Sequence, residues 1–166
     1  MADSSAMPAS PAELLQLLYL RPGFLLRRAH QLSVGLFEEG CRELGLTPPQ
    51  YGVMTIVAHA GGCDQATVAR ALGFDRVTTL RIVRGLQTRG LVAREPSTAD
   101  GRRLQLTLTD DGVATLARGL ELAANVTERL MAPLAIDERE QLKGLLRKLC
   151  AGLEPQARTK LLPPGC

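Results

Sequence analysis

The chain has 166 residues and a formal charge of +3; 45% of its residues are hydrophobic and 3% aromatic, so one compact domain with a core of Leu, Val and Ala is expected. No stretch approaches the roughly 18 uninterrupted apolar residues of a membrane span, and Met1-Ala2-Asp3-Ser4-Ser5 has neither the basic start nor the apolar run of a secretion signal. Cysteines at 41, 63, 150 and 166 form no CxxC pair, and a reduced, cytoplasmic setting is expected.

Residues 1–11 (MADSSAMPASP) are small, polar and proline-bearing and read as a disordered leader. A first helical region begins near Pro11, with Leu14, Leu15, Leu17 and Leu18 on an apolar face. Pro22-Gly23 interrupts it, and Pro22 opens the main first helix, since proline is tolerated at the first helical position. This helix is expected to run to Leu44, with Phe24, Leu25, Leu32, Leu36 and Leu44 as a buried face and Gly45 as its stop. Thr47 is a candidate cap, with Pro48-Pro49 in the first turn of a second helix, Gln50 to Ala60, whose Val53, Ile56 and Val57 share one side. Gly61-Gly62 ends it. Asp64 caps a short third helix, Gln65 to Leu72, which Gly73 terminates.

Phe74 is expected to enter the interior and Asp75 to cap a fourth helix, Arg76 to Arg89, with Gly90 as terminator. Its buried side reads as Val77, Leu80, Leu86 and either Val83 or Arg84. Leu91 to Arg94 reads as a short strand, PSTADG as a turn, and Leu104 to Thr109 alternates with strand periodicity, so the two strands form a hairpin. Asp110-Asp111-Gly112 starts a long fifth helix, capped by Thr109 or Asp110 and carrying Val113, Leu116, Leu120 and Ala124; Pro133 breaks it. Asp137 caps a last helix, Glu138 to Leu153, and residues 154–166 read as a flexible tail. The fold class is therefore mainly α with a small β-hairpin wing: a helix-turn-helix made by the third and fourth helices, followed by the hairpin.

Charge is unevenly placed. Between Arg70 and Arg103 eight arginines (70, 76, 81, 84, 89, 94, 102, 103) face three acids (Asp75, Glu95, Asp100), a net of +5 that leaves −2 on the rest of the chain. A basic block on an acidic remainder suits a polyanion. The fourth helix opens Arg76-Val77-Thr78-Thr79-Leu80-Arg81, and in a helix-turn-helix this end enters the major groove of DNA. Arg76, Thr78, Thr79, Arg81 and Arg84 are the candidate DNA-binding side chains: arginine grips guanine or phosphate, and threonine offers a hydroxyl to phosphate and a methyl to thymine. The alternative for Thr78 and Thr79 is that they only frame the first turn of the helix. Arg102 and Arg103 in the wing suit a narrow minor groove, and Asp100 is expected to pair with a neighbouring arginine and fix the loop.

The segments LGLTPPQYGVM at 44–54, QATVARALGFDRVTTLRIVRGLQTRGLVARE at 65–95 and DGRRLQLTLTDDG at 100–112 together resemble the multiple antibiotic resistance regulator (MarR) family, and the resemblance covers about residues 14–150. Gly101 departs from it, where many relatives carry another arginine. The resemblance implies a homodimer held by N-terminal helices at 12–46 and C-terminal helices at 110–153, around a winged helix-turn-helix lobe at 47–109. It implies a regulator, expected to be a repressor, that binds a pseudo-palindrome in double-stranded DNA and is released by a small aromatic or phenolic ligand. RPGFLLRRAHQLS at 21–33 resembles a subgroup associated with aromatic-compound catabolism, whose effector is a free acid or a coenzyme A thioester.

An anionic aromatic ligand needs a cation and a polar contact in an apolar cleft. Arg27, His30 and Gln31 are spaced i, i+3 and i+4 on one helix face, with Arg28 taking the place of Arg27 if the face is rotated. The alternative is a solvated basic face. A second reading of the same fold is a thiol-based oxidant sensor using Cys41 or Cys63, with Arg42 beside Cys41 lowering its pKa. No nucleophile elbow, phosphate loop, dinucleotide glycine motif or zinc-protease helix is present, so no enzyme, cofactor or metal site is expected; His59 and Cys63 alone are no ligand set.

Overall fold

The computed structural model describes residues 10–96 and 104–162. The chain is mostly helical: α1 (Pro11–Leu20), α2 (Pro22–Gly40), a 3-10 turn (Arg42–Leu44), α3 (Pro48–His59), α4 (Gln65–Leu72), α5 (Arg76–Thr88), β1 (Val92–Pro96), β2 (Leu104–Leu108), α6 (Asp110–Met131), α7 (Ile136–Leu153) and a second 3-10 turn (Glu154–Gln156). It divides within α2 into two units, one ending at Gly35 and the other beginning at Leu36. No helix among the described residues is long and apolar enough to cross a membrane.

In the first unit, Ser10 and Glu13 cap α1 reciprocally, each side chain bonding the other's backbone N–H. Tyr19 meets Phe24 edge to face at 5.0 Å, and the Arg27 guanidinium lies 4.9 Å from the Phe24 ring centre. The face expected to be buried is open here: Leu25 is 54% and Leu32 48% exposed, with no cover among the described residues.

The second unit holds the core, in which Leu46, Val53, Met54, Val57, Val68, Val83, Leu86, Leu91, Val92, Leu106 and Leu116 pack together. Helix α2 ends at Gly40, not at Leu44; the chain tightens into the 3-10 turn, whose free carbonyls at Leu44 and Gly45 accept hydrogen bonds from Arg89 at 2.6 and 2.8 Å. Thr47 caps α3 in a box with Gln50. The buried side of α3 is Val53, Met54 and Val57, with Ile56 only partly covered.

Strands β1 and β2 pair antiparallel from Val92↔Leu108 to Pro96↔Leu104. Cys63 adds a single bridge to β2, donating to Leu106 O at 3.2 Å and accepting from Leu106 N at 2.7 Å. Thr109 caps α6 and also donates to Gly90 O at 2.6 Å. Any Cβ at Gly112 would overlap the Leu91 carbonyl, so the close approach of α6 to the hairpin requires glycine there. The buried line of α6 is therefore Gly112, Leu116, Gly119 and Val126; Val113, Leu120 and Ala124, expected on that line, are exposed. Arg118–Glu43 (2.8 Å) and Arg129–Glu39 (3.0 Å) tie α6 to the 3-10 turn and to the end of α2.

Helix α7 starts two residues earlier than expected. Its first N–H groups are served by Glu138, which bonds Ala135 N at 2.8 Å, and not by Asp137 as a cap. None of its residues is buried in the single chain. The described part of the segment after α7 meets α4 at its end, where Leu162 N donates to Arg70 O at 2.8 Å.

Candidate nucleic-acid interface

Local hydrogen bonds set the ends of both helices of the helix-turn-helix. Asp64 opens α4 by accepting Thr67 N–H at 2.7 Å. Gly73, at φ +66°, turns the chain out of α4, and Phe74 N reaches back to Ala69 O at 3.0 Å. Asp75 then caps α5, accepting Thr78 N–H at 2.8 Å and the Thr78 hydroxyl at 2.7 Å; these bonds hold its carboxyl below the usual aspartate range. Phe74 does not enter the core. It is partly exposed and lines an open cavity with Arg70, Arg76 and Thr159.

The rotation of α5 differs from the expected one. Thr79, Val83 and Leu86, spaced i, i+4 and i+7, are its buried line. Thr79 is 0% exposed and its hydroxyl donates to Asp75 O at 2.8 Å, which removes it from the residues able to meet DNA. Val77, expected inside, is 78% exposed. The solvent face of the helix is Arg76, Val77, Arg81 and Arg84, and none of these arginines has a hydrogen-bond or ion-pair partner among the described residues. Thr78 is half-buried and its hydroxyl is engaged by Asp75. Both threonines thus frame the first turn. Val77 is the residue that pattern reading missed, because it places Val77 inside where the structure buries Thr79 with Val83 and Leu86.

Two arginines of the basic block are structural. Arg89 holds the carbonyls of Leu44 and Gly45, and Arg94 donates to Gln65 Oε1 at 2.7 Å, linking β1 to the start of α4. Asp100, Arg102 and Arg103 lie outside the described residues. What remains is an exposed helix edge with three unpaired guanidiniums around one apolar side chain, a chemistry suited to phosphates, guanine edges and a thymine methyl.

Arg27, Arg28, His30 and Gln31 lie on exposed turns of α2 in the first unit, where Arg27 is stacked on Phe24. The cysteines contradict the expected activation. Burial and then Glu43 raise the Cys41 thiol, so Arg42 does not lower it; burial and then Asp64 push Cys63 up to about 11. Cys150 is free and exposed.

A helix-turn-helix followed by a two-stranded hairpin, with the second helix presenting its basic edge, defines a winged helix-turn-helix protein. The MarR family profile matches residues 44–103. The transcriptional repressor NicR of Pseudomonas putida is 32% identical over 127 residues, spanning 76% of this chain and 80% of NicR. The structure of BpsR from Bordetella bronchiseptica, which concerns regulation of its DNA binding by 6-hydroxynicotinic acid, matches with a TM-score of 0.72 and 31% identity over 79% of this chain and 94% of BpsR. The transcriptional repressor CouR, bound to a 23-mer DNA duplex, matches with a TM-score of 0.74 and 31% identity over 87% of this chain and 99% of CouR. The chain belongs to the MarR family of transcriptional regulators.

Proposed function

We propose that this chain is a homodimeric, cytoplasmic repressor that binds duplex DNA through α5 and the hairpin and is released by a small aromatic acid or its thioester. The observation that carries the DNA reading is the α5 edge, where Arg76, Arg81 and Arg84 flank Val77 with no partner among the described residues. Arg81 and Arg84 grip phosphate or guanine, Val77 and the Thr78 methyl read thymine, and Arg102 and Arg103 enter the flanking minor groove beside Asp100. The duplex held by CouR supports this assignment.

The dimer reading rests on apolar helix faces that the single chain leaves open: Leu15, Leu17, Leu18, Leu25 and Leu32 on α1 and α2, and Leu145, Leu149 and Leu153 on α7. A second copy covers them and sets two α5 helices about one DNA turn apart, roughly 34 Å. The dimerising parts are residues 12–46 and 110–153, and 47–109 is the DNA-binding lobe.

The effector reading rests on Arg27 or Arg28 with His30 and Gln31, a cationic and hydrogen-bonding set for a carboxylate or phenolate, and on the response of BpsR to an aromatic acid. The ligand acts only if it binds the two spacings of the α5 pair with different affinity. A gel shift with the DNA upstream of the chain's own gene tests the reading, run with and without hydroxylated aromatic acids and their coenzyme A thioesters. Retarded DNA that one class of compound releases is expected, with His30→Ala keeping DNA binding and losing release. No retardation at low salt refutes the DNA reading; full release in His30→Ala refutes the effector site.

A further inference from the structure

The segment that follows α7 touches the helix-turn-helix at its turn. After the 3-10 turn the chain extends from Ala157 to Leu162, held by Leu161 N–H on the Glu154 carboxylate at 2.6 Å and by Leu162 N–H on Arg70 O at 2.8 Å. The second bond occupies a carbonyl in the last turn of α4. Leu161 and the Thr159 carbonyl lie against Gly73, and Thr159 shares the rim of a cavity of about 400 Å³ with Phe74 and Arg76, the first residue of α5. Nothing in local sequence pattern marks this docking, because the bond that reaches α4 joins residues about ninety positions apart.

The charges on the segment decide what it does there. Its cations, Arg158 and Lys160, are exposed and have no hydrogen-bond or ion-pair partner among the described residues. Its acid, Glu154, accepts a backbone N–H of the same segment. A segment that shielded α5 from DNA would bring acids to Arg76, Arg81 or Arg84. This one carries two cations on either side of Thr159, which lines a cavity with Arg76, and brings no acid to the three arginines.

We propose that residues 157–162 form an additional arm of the DNA-contacting surface, in which Arg158 and Lys160 hold backbone phosphates beside the groove entered by α5. The proposal rests on the reading that α5 binds duplex DNA. Each phosphate contact contributes about 0.9 to the slope of log K against log salt, without sequence preference. Fluorescence anisotropy therefore compares the full chain, Arg158→Ala/Lys160→Ala and a chain ending at Gln156, on the duplex upstream of its own gene and on a random-sequence duplex of equal length. The double variant replaces only exposed side chains, so its thermal midpoint is expected to match the native one. Expected is a slope shallower by roughly 2 per protomer in both altered chains and on both duplexes, with the ratio of specific to random affinity kept. An unchanged slope overturns the arm, and so does tighter binding by the shortened chain. Failure of the full chain to bind either duplex at low salt is a separate result, which removes the α5 reading and the arm with it.

Discussion

Thr79 and Val77 exchange the roles that their residue types suggest. Thr79 is sealed in the core with its hydroxyl on Asp75 O, while Val77 stands in solvent at the start of α5. Thr79→Ala is therefore expected to lower stability by about 1–2 kcal/mol, with DNA sequence preference unchanged; urea denaturation and binding-site selection check this. Val77→Ala is expected to do the reverse, shifting the preferred base at one position with little loss of stability. The thiols give a further test. Cys63 is pushed up to about 11 by burial and Asp64, so its alkylation by iodoacetamide is expected to stay slow at neutral pH and rise toward pH 11, with Cys150 reacting first. The raised folded value also fixes a sign. The unfolded thiol ionises near 9.0 and the folded one does not, so the contribution of Cys63 to stability is whole below pH 9 and is lost as pH rises through about 11. A thiolate-based sensor at Cys41 or Cys63 would need the opposite shifts.

At the scale of elements, the boundaries of α4 and α5 were legible because they are written locally. Asp64, Gly73 and Asp75 each act on residues within a few positions of themselves. The rotation of α5 was not legible, since Val77 and Thr79 are both β-branched and only the surrounding core decides which turns inward. Sequence pattern does not separate Arg89 and Arg94 from the basic block, because their partners, Gly45, Leu44 and Gln65, lie 29 to 45 positions away. The Asp75 cap carries a pH dependence. Its carboxyl is held below the usual aspartate range, so the stability it contributes is present above that range and is lost as pH falls through the lowered value. Asp75→Asn, which preserves a capping oxygen, is expected to keep the thermal midpoint near native and to flatten this acid loss, whereas Asp75→Ala lowers the midpoint. At the junction of hairpin and α6, Gly112→Ala forces a methyl into the Leu91 carbonyl and is expected to cost roughly 1–3 kcal/mol in urea denaturation.

For the whole molecule, apolar periodicity reveals that α1 and α2 have apolar faces, and the structure adds one on α7, but the pattern does not say what covers them. The second unit buries its own core, and Leu15, Leu17, Leu18, Leu25, Leu32, Leu145, Leu149 and Leu153 of these three helices stay in solvent. Two copies of the chain joined over those faces account for the leucines and for a DNA-binding lobe presented twice. Leu145→Asp/Leu149→Asp is expected to shift sedimentation from dimer toward monomer and to weaken operator binding far more than the loss of two side chains remote from α5 would. A native chain that sediments as a monomer at micromolar concentration would contradict the dimer. The most direct test of the central claim is the salt dependence of Kd for the DNA upstream of the chain's own gene, measured for the native chain, Arg84→Ala and Arg118→Ala. Arg84 on the α5 edge has no partner among the described residues, while Arg118 of α6 is held by Glu43 and Glu121. Arg84→Ala should bind more weakly with a log–log slope smaller by about 1 per protomer, and Arg118→Ala should keep the native slope. Equal affinity and equal slope for the native chain and Arg84→Ala would contradict a recognition role for α5.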